Sequence, residues 1–368
     1  MHRMRIALVT SYFPPHPGGQ EFHVLELAQG LVEMGHDVTV VTSNVDRDDG
    51  PEPSDYRVVW LPSTRIASDA FTFGVGKALR EAKPDVVHIH APLCIIATQA
   101  SMWARNTPLV ATYHGDYYKS SLFANALRLL RNHLQLPYVL RNAGTINALS
   151  ENDRRLMTDY GVDPDKIKII YPGVDLAKFQ VDQEAWRPNG KRILYVGRVV
   201  YEKGVKELIT SFGALCQQEE DVELVIAGDG DALEDMRALA RRSGLEDRVT
   251  FLGWLPHDEI IEQYGQAMVV VLPSFSEGMP YAVLEAMAAG RPVIASNVSG
   301  IKDVVDHQES GLLYDVSDPD GLREAMLRLV TDPEMCNRLG KRARERCHAS
   351  FGRQRWLEDT VRVYESVL

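Results

Sequence analysis

Residues 269–287 read VVVLPSFSEGMPYAVLEAM. Val269 to Leu272 is an apolar run of strand length, and a turn carrying Gly278 and Pro280 leads from it into a helical segment. A buried strand that feeds a helix is the repeating unit of a parallel α/β sheet. Outward from this stretch the unit recurs, with strands expected near Arg192 to Val196, Val222 to Ala227, Val249 to Leu252, Val293 to Ala295 and Leu312 to Tyr314. The first half repeats the pattern near Arg5 to Thr10, Asp37 to Thr42, Arg57 to Leu61, Asp85 to His90, Leu109 to Tyr113, Thr145 to Leu149 and Lys168 to Ile170. Helical segments fill most of the gaps, so the pattern predicts an α/β protein of two doubly wound domains.

A chain of 368 residues has room for two domains of about 150 to 200 residues each. Tyr171 to Gly190, with Pro172, Gly173, Pro188 and Gly190 and little periodicity, is read as the linker between them. Asp318 before Pro319 and Asp332 before Pro333 mark helix starts, each an N-cap residue followed by proline at the first helical position. The net charge of −11 excludes general nucleic-acid binding, which rests on neutralising phosphates with many cations. Residues 1–170 are near neutral, with 17 Lys+Arg against 18 Asp+Glu; of the totals 40 and 51 this leaves 23 against 33 for the rest. No apolar run approaches the roughly 18 to 20 residues of a membrane span, and Met1 to Arg5 leads into a strand rather than a signal-peptide core. Cys94, Cys216, Cys336 and Cys347 form no C-x-x-C pair, so they are expected as reduced thiols of a cytoplasmic protein.

In open α/β sheets ligands bind beyond the carboxyl ends of the strands, and four motifs sit there. After Val269 to Leu272, Gly278 permits close backbone approach, Pro280 suits the first helical turn, and the amides of that turn make an anion site fit for a diphosphate or sugar hydroxyls. Glu277 and Glu285 frame it, one before the helix and one about two turns along it. After Arg192 to Val196 comes GRVVYEKG, residues 197–204, in which Arg198 and Lys203 flank a glycine-bounded loop. Arginine grips a diphosphate bidentately and lysine adds a point charge, which together do the work of a Mg²⁺ ion. After the first strand, Gly18 and Gly19 let a loop present amides to a phosphate. After Leu109 to Tyr113 come His114, Gly115 and Asp116, the histidine able to donate, accept or titrate. Taken singly, each has a plain structural alternative: a helix-start acid, a solvated salt-bridged loop, a tight turn, a satisfied histidine.

These motifs, in this order over nearly the whole chain, resemble the retaining glycosyltransferases of the large mannosyl, glucosyl and N-acetylglucosaminyl transferase family, whose signature carries two glutamates eight positions apart. The segment SEGMPYAVLEAMAAGRPVIAS, residues 276–296, is the most similar, and Tyr171 to Asp175 resembles the family linker with Pro172 in place of its usual asparagine. The resemblance implies a GT-B fold, two Rossmann-like domains facing an interdomain cleft: residues 1–172 bind the acceptor and 173–352 the nucleotide-sugar, with a last helix at about 353–368 crossing back to the first domain. It implies transfer of a hexose or N-acetylhexosamine from a UDP- or GDP-sugar to an acceptor hydroxyl on a sugar, lipid or polyol, with retention. Catalysis then falls to His114, Arg198, Lys203 and Glu277. The donor lies against Gly18, Gly19, Gly197, Arg198, Lys203, Glu277, Gly278, Met279, Pro280, Tyr281, Val283, Leu284 and Glu285, with no metal and no cofactor. Alternatives are a catalytically silent sugar-nucleotide-binding subunit and, ranked lower, a phosphorylase-like enzyme.

Asp229, Gly230 and Asp231 match a D-x-D metal motif, but at a strand end they read as a turn and helix N-cap. His88 and His90 share one face of a strand, as a metal pair requires, but with no third ligand evident they read as packing. Residues 117–150 contain no acid but carry Lys119, His133, Arg128, Arg131 and Arg141. An amphipathic helix within 119–142 reads as a core helix with its arginines in water, the alternative being that it leans on anionic lipid or an anionic acceptor at the cytosolic membrane face.

Overall fold

The computed structural model describes residues 2–16, 18–45, 47, 53–66, 69–90, 94–104, 106–114, 135–179, 190–318 and 320–368. The chain forms two compact units, one of Met1–Pro172 with Gln354–Leu368 and one of Gly173–Arg353.

The N-terminal unit contains β1 (Arg5–Val9), α1 (Gly19–Glu33), β2 (Asp37–Ser43), β3 (Arg57–Leu61), β4 (Ser63–Ile66), β5 (Asp69–Thr72), α2 (Val75–Ala82), β6 (Val86–His90), α3 (Ile95–Trp103), β7 (Leu109–Tyr113), α4 (135–142), β8 (Thr145–Ala148), α5 (Glu151–Asp159) and β9 (Ile167–Ile169). Its sheet runs β3-β2-β1-β6-β7-β8-β9, parallel throughout, with Leu8 of β1 in register with both Val40 and His88. The C-terminal unit contains β10 (Lys191–Val196), α6 (Val205–Leu215), β11 (Val222–Ala227), α7 (Leu233–Arg242), β12 (Val249–Gly253), α8 (His257–Gln266), β13 (Val269–Leu272), α9 (Tyr281–Ala288), β14 (Val293–Ser296), β15 (Gly311–Tyr314), α10 (Gly321–Thr331) and α11 (Pro333–Ser350). Its order, β12-β11-β10-β13-β14-β15, is again all parallel. The strand order reverses between β1 and β6 and between β10 and β13, and it is at such switch points that open sheets open a crevice for ligands.

Parallel strands are covered on both faces, which is why they read as unbroken apolar runs. In the N-terminal unit, Ala7, Val9, Val87, Ile89 and Ala111 pack beneath α2 and α3. Ile6, Leu8, Val38, Val40 and Val110 pack beneath α1 and the final helix α12 (Arg353–Val367), through Leu27, Trp356, Leu357, Val361 and Tyr364.

Several expectations need revision. The hairpin of β4 and β5 has polar residues such as Ser63, Thr64 and Arg65 on a short antiparallel pair, and no apolar run announces it. Residues 171–179 are not free linker. Val174 donates to Phe351 O at 2.9 Å and accepts from Arg353 at 3.0 Å, and Phe179 is buried in the C-terminal unit. Residues 180–189, including Pro188, lie outside the described residues. Asp332 does cap α11, accepting from the Met335 amide at 2.9 Å with Pro333 next. Asp318 does not cap α10: its carboxylate accepts from the Asp320 amide, and the helix starts at Gly321 after Asp320; Pro319 is outside the described residues. The four cysteines are free thiols. Most of the basic stretch, 119–134, lies outside the described residues; 135–142 is helical. Among the described residues no helix is long and apolar enough to cross a membrane.

Candidate active site

In the C-terminal unit the two central strands of the switch point, β10 and β13, end in the two charged motifs. Gly197 donates its amide to Ala227 O at 3.0 Å, the Tyr195 hydroxyl donates to Arg198 O at 2.7 Å, and Val199 donates to Asp229 O at 2.8 Å. This backbone lacing fixes the loop and leaves the Arg198 side chain exposed. Gly204 closes the loop at φ 69°, and a Cβ there would stand 2.1 Å from the carbonyl oxygen of Pro273, so only glycine fits where the β10 and β13 loops meet. The Phe275 amide donates to Glu202 O at 3.0 Å across the same seam.

The seam brings Lys203 and Glu277 together. Lys203 Nζ donates to Glu277 Oε1 at 2.6 Å, with the side chains only 17% and 9% exposed. Such a pair is a charge-assisted contact, strong because it is largely sheltered from water. Behind Glu277 the chain is pinned by Gly300, where a Cβ would lie 2.0 Å from Gly278 O. Pro280 is the N-cap of α9 rather than its first residue, and its side chain makes no capping hydrogen bond. Glu285 therefore sits only four residues in from the helix start at Tyr281, about one turn rather than two.

Glu285 is 6% exposed and doubly held. His257 Nε2 lies 2.9 Å from its Oε1, and the Tyr264 hydroxyl donates to its Oε2 at 3.0 Å. Burial, then the Glu285 charge, push the Tyr264 hydroxyl well above its ordinary range, so it stays a donor. Neither partner stood out in the sequence: both lie on α8, at ordinary surface-helix spacing, and only packing against α9 aims them at Glu285. Met279 and Tyr281 are half-buried at the turn. Val283 and Leu284 are fully buried, and their amides already donate to Pro280 O at 3.1 and 3.4 Å, so they form the floor of the turn rather than its surface. Asp229 and Asp231 are exposed and no helix N-cap: Asp229 Oδ1 accepts from the Gly230 amide, and α7 begins at Leu233 after Ala232.

In the N-terminal unit, Gly18 is the N-cap of α1 and Gly19 its first residue. No described atom lies within 4 Å of where a Gly19 Cβ would stand, while Glu21 of the same turn folds back over Gly18. His114 leaves the end of β7 at 9% exposure, with Nε2 3.1 Å from Nδ1 of His90, the last residue of β6. His23 of α1 meets His114 edge to face at a centroid distance of 4.8 Å and also touches Trp356. His88 is wedged between the Tyr364 hydroxyl at 2.6 Å and Thr112 Oγ1 at 2.7 Å. Burial lowers all four imidazoles below their ordinary range, His88 and His114 to about 3, so the cluster is neutral. Gly115 and Asp116 lie outside the described residues.

Residues 17–178 match the family model "Glycosyltransferase Family 4" and residues 177–346 match "Glycosyl transferases group 1". A phosphatidyl-myo-inositol mannosyltransferase of Mycolicibacterium smegmatis is 30% identical over 99% of this chain and 94% of its own. The chain belongs to the group 1 glycosyltransferases. Another relative of this glycosyltransferase is a GDP-mannose-dependent alpha-(1-6)-phosphatidylinositol monomannoside mannosyltransferase of Mycobacterium tuberculosis, 29% identical over 93% of each chain. Among solved structures, a sucrose-phosphate synthase from Thermosynechococcus elongatus superposes with a TM-score of 0.83 at 25% identity, covering 98% of both chains. The two parallel-sheet Rossmann-like domains of this glycosyltransferase are those of the GT-B fold.

Proposed function

We propose that this glycosyltransferase takes a hexose or N-acetylhexosamine from a nucleoside-diphosphate sugar, UDP- or GDP-linked, and delivers it to an acceptor hydroxyl with retention and without a metal ion. The observation that carries the reading is the Lys203–Glu277 pair at 2.6 Å beside the start of α9. It sets a cation for diphosphate and a carboxylate for sugar hydroxyls side by side on one rigid seam. Arg198 and Lys203 counter the diphosphate charge as it leaves, and the α9 amides add a fixed dipole aimed at the same group. Glu277 accepts from sugar hydroxyls. Glu285, buried and held by His257 and Tyr264, is pre-oriented for the two hydroxyls of a ribose. The N-terminal unit contributes the Gly19 amide to the distal phosphate, His114 to the sugar, and the acceptor surface. In the reaction the anomeric carbon–oxygen bond to the diphosphate breaks with its electron pair on the leaving oxygen. The acceptor oxygen bonds to that carbon from the same face, and its proton passes to the departing phosphate. The relatives' names, one GDP-mannose-dependent and both acting on phosphatidylinositol lipids, support a nucleotide-sugar donor and a lipid-linked acceptor.

A thermal-shift screen of UDP, GDP, ADP and their sugar conjugates in EDTA tests this, since a ligand of the folded state raises the melting point by mass action. A shift with one nucleotide in EDTA is expected. Binding that appears only when Mg²⁺ or Mn²⁺ is added would overturn the metal-free reading, and an inverted anomeric configuration in the product, read by NMR, would overturn retention.

A further inference from the structure

His88 and His90 by themselves lack a third ligand, but the fold supplies two more imidazoles from elsewhere in the N-terminal unit. His23 comes from α1, His90 from the end of β6 and His114 from just after β7, and one nitrogen of each lies within 4.8 Å of the others. The ring centroids are 4.8, 5.5 and 5.4 Å apart. Three imidazoles bound to one tetrahedral ion at about 2.0–2.1 Å place their ring centres about 5 Å apart and their ligating nitrogens about 3.3 Å apart. His90 Nδ1 and His114 Nε2 are already 3.1 Å apart.

The rings are 2%, 0% and 9% exposed, so little side-chain motion is available to disperse them. Hydrophobic packing alone explains the trio poorly, because each buried imidazole carries two polar nitrogens, a desolvation cost that an aromatic hydrocarbon ring would not incur. His88 stands apart: both its nitrogens are spent on Tyr364 and Thr112.

We propose that His23, His90 and His114 form a binding site for a borderline transition-metal ion of the Zn²⁺ class, and that an ion there excludes the sugar contact of His114. Imidazole donors without carboxylate or thiolate favour Zn²⁺, Co²⁺, Ni²⁺ or Cu²⁺ over Mg²⁺ or Ca²⁺. The binding stands on the N-terminal unit alone. The exclusion rests on the role of His114 in the proposed reaction, so the ion acts as a brake on a transferase that needs no metal.

The full-length protein, stripped with chelator and dialysed, is titrated with Co²⁺ followed by visible absorption, and with Zn²⁺ followed by calorimetry. One equivalent of Co²⁺ is expected to develop the intense d–d bands of a tetrahedral site, and Zn²⁺ to displace it. His23→Phe keeps the ring against Trp356 but removes a ligand, and is expected to weaken binding by at least the roughly 10- to 100-fold seen for lost supporting groups. His90→Gln serves as a second variant should that one misfold, and His88→Gln is expected to keep the site. Weak, non-stoichiometric Co²⁺ binding, or equal binding by folded His23→Phe, overturns the site. Stoichiometric Zn²⁺ is expected to stop sugar transfer reversibly while leaving nucleotide binding intact; tight Zn²⁺ binding with full activity overturns the exclusion. If no sugar is transferred under any condition the proposed reaction falls, and the Co²⁺ titration still decides the site.

Discussion

The two units of this glycosyltransferase repeat one architecture, a parallel sheet whose order reverses at its middle, yet they place opposite chemistry at the switch point. At the ends of β10 and β13 stand formal charges, Lys203 against Glu277, with Glu285 behind them. At the ends of β6 and β7 stand imidazoles kept neutral by burial, with His23 closing the group. The difference follows from what each end can stabilise. In the proposed reaction charges on a fixed seam answer a leaving diphosphate, whereas the neutral buried rings have directional hydrogen bonds and lone pairs to offer at little Coulombic cost.

The largest effect is expected at the charged end. Lys203→Ala leaves Glu277 without its cation and the diphosphate uncompensated, and is expected to lower kcat by about 10²–10³-fold, the range for removing one fixed transition-state donor. Steady-state transfer assays check this, and a wild-type rate would remove the charged seam from the mechanism. Gly204→Ala tests whether that seam must be this tight. Its Cβ would meet Pro273 O at 2.1 Å in a left-handed conformation, so a loss of about 2–4 kcal/mol in urea unfolding is expected.

The neutral end is tested by pH. The folded-state values of His88 and His114 are lowered from 6.5 to about 3, so the stability tied to their neutral forms is complete above pH 6.5 and is lost as the pH falls toward 3. The loss reaches at most about 1.4 kcal/mol per pH unit for each ring. Hydrogen exchange at pH 7 and pH 5, corrected for intrinsic rates, is expected to show protection falling more in β6 and β7 than in β10 and β13. The smallest effect is at Tyr264. Tyr264→Phe removes one hydrogen bond to Glu285, and nucleotide binding measured by calorimetry is expected to weaken by about 1 kcal/mol; His257→Ala with Tyr264→Phe should cost more than either alone.

Much of this molecule follows from local sequence. Val269 to Leu272 is a strand because a run of mostly β-branched residues has nowhere to turn a polar face, and parallel sheets bury both faces. Asp332 before Pro333 starts α11 because an acceptor side chain and a missing N–H answer the first orphan amides. The positions of Gly197 to Gly204 and Ser276 to Glu285 at strand ends were legible for the same reason. Other features needed the folded chain. The start of α9 at Tyr281, and so the one-turn depth of Glu285, depends on Gly300 packing against Gly278 from 22 residues away. His257 and Tyr264 reach Glu285 only across a helix pair, and His23 reaches His90 and His114 only because α1 crosses the ends of β6 and β7. Periodicity encodes which side of an element is buried; which neighbour that side meets is set by strand order and register, and those are decided by the whole core at once.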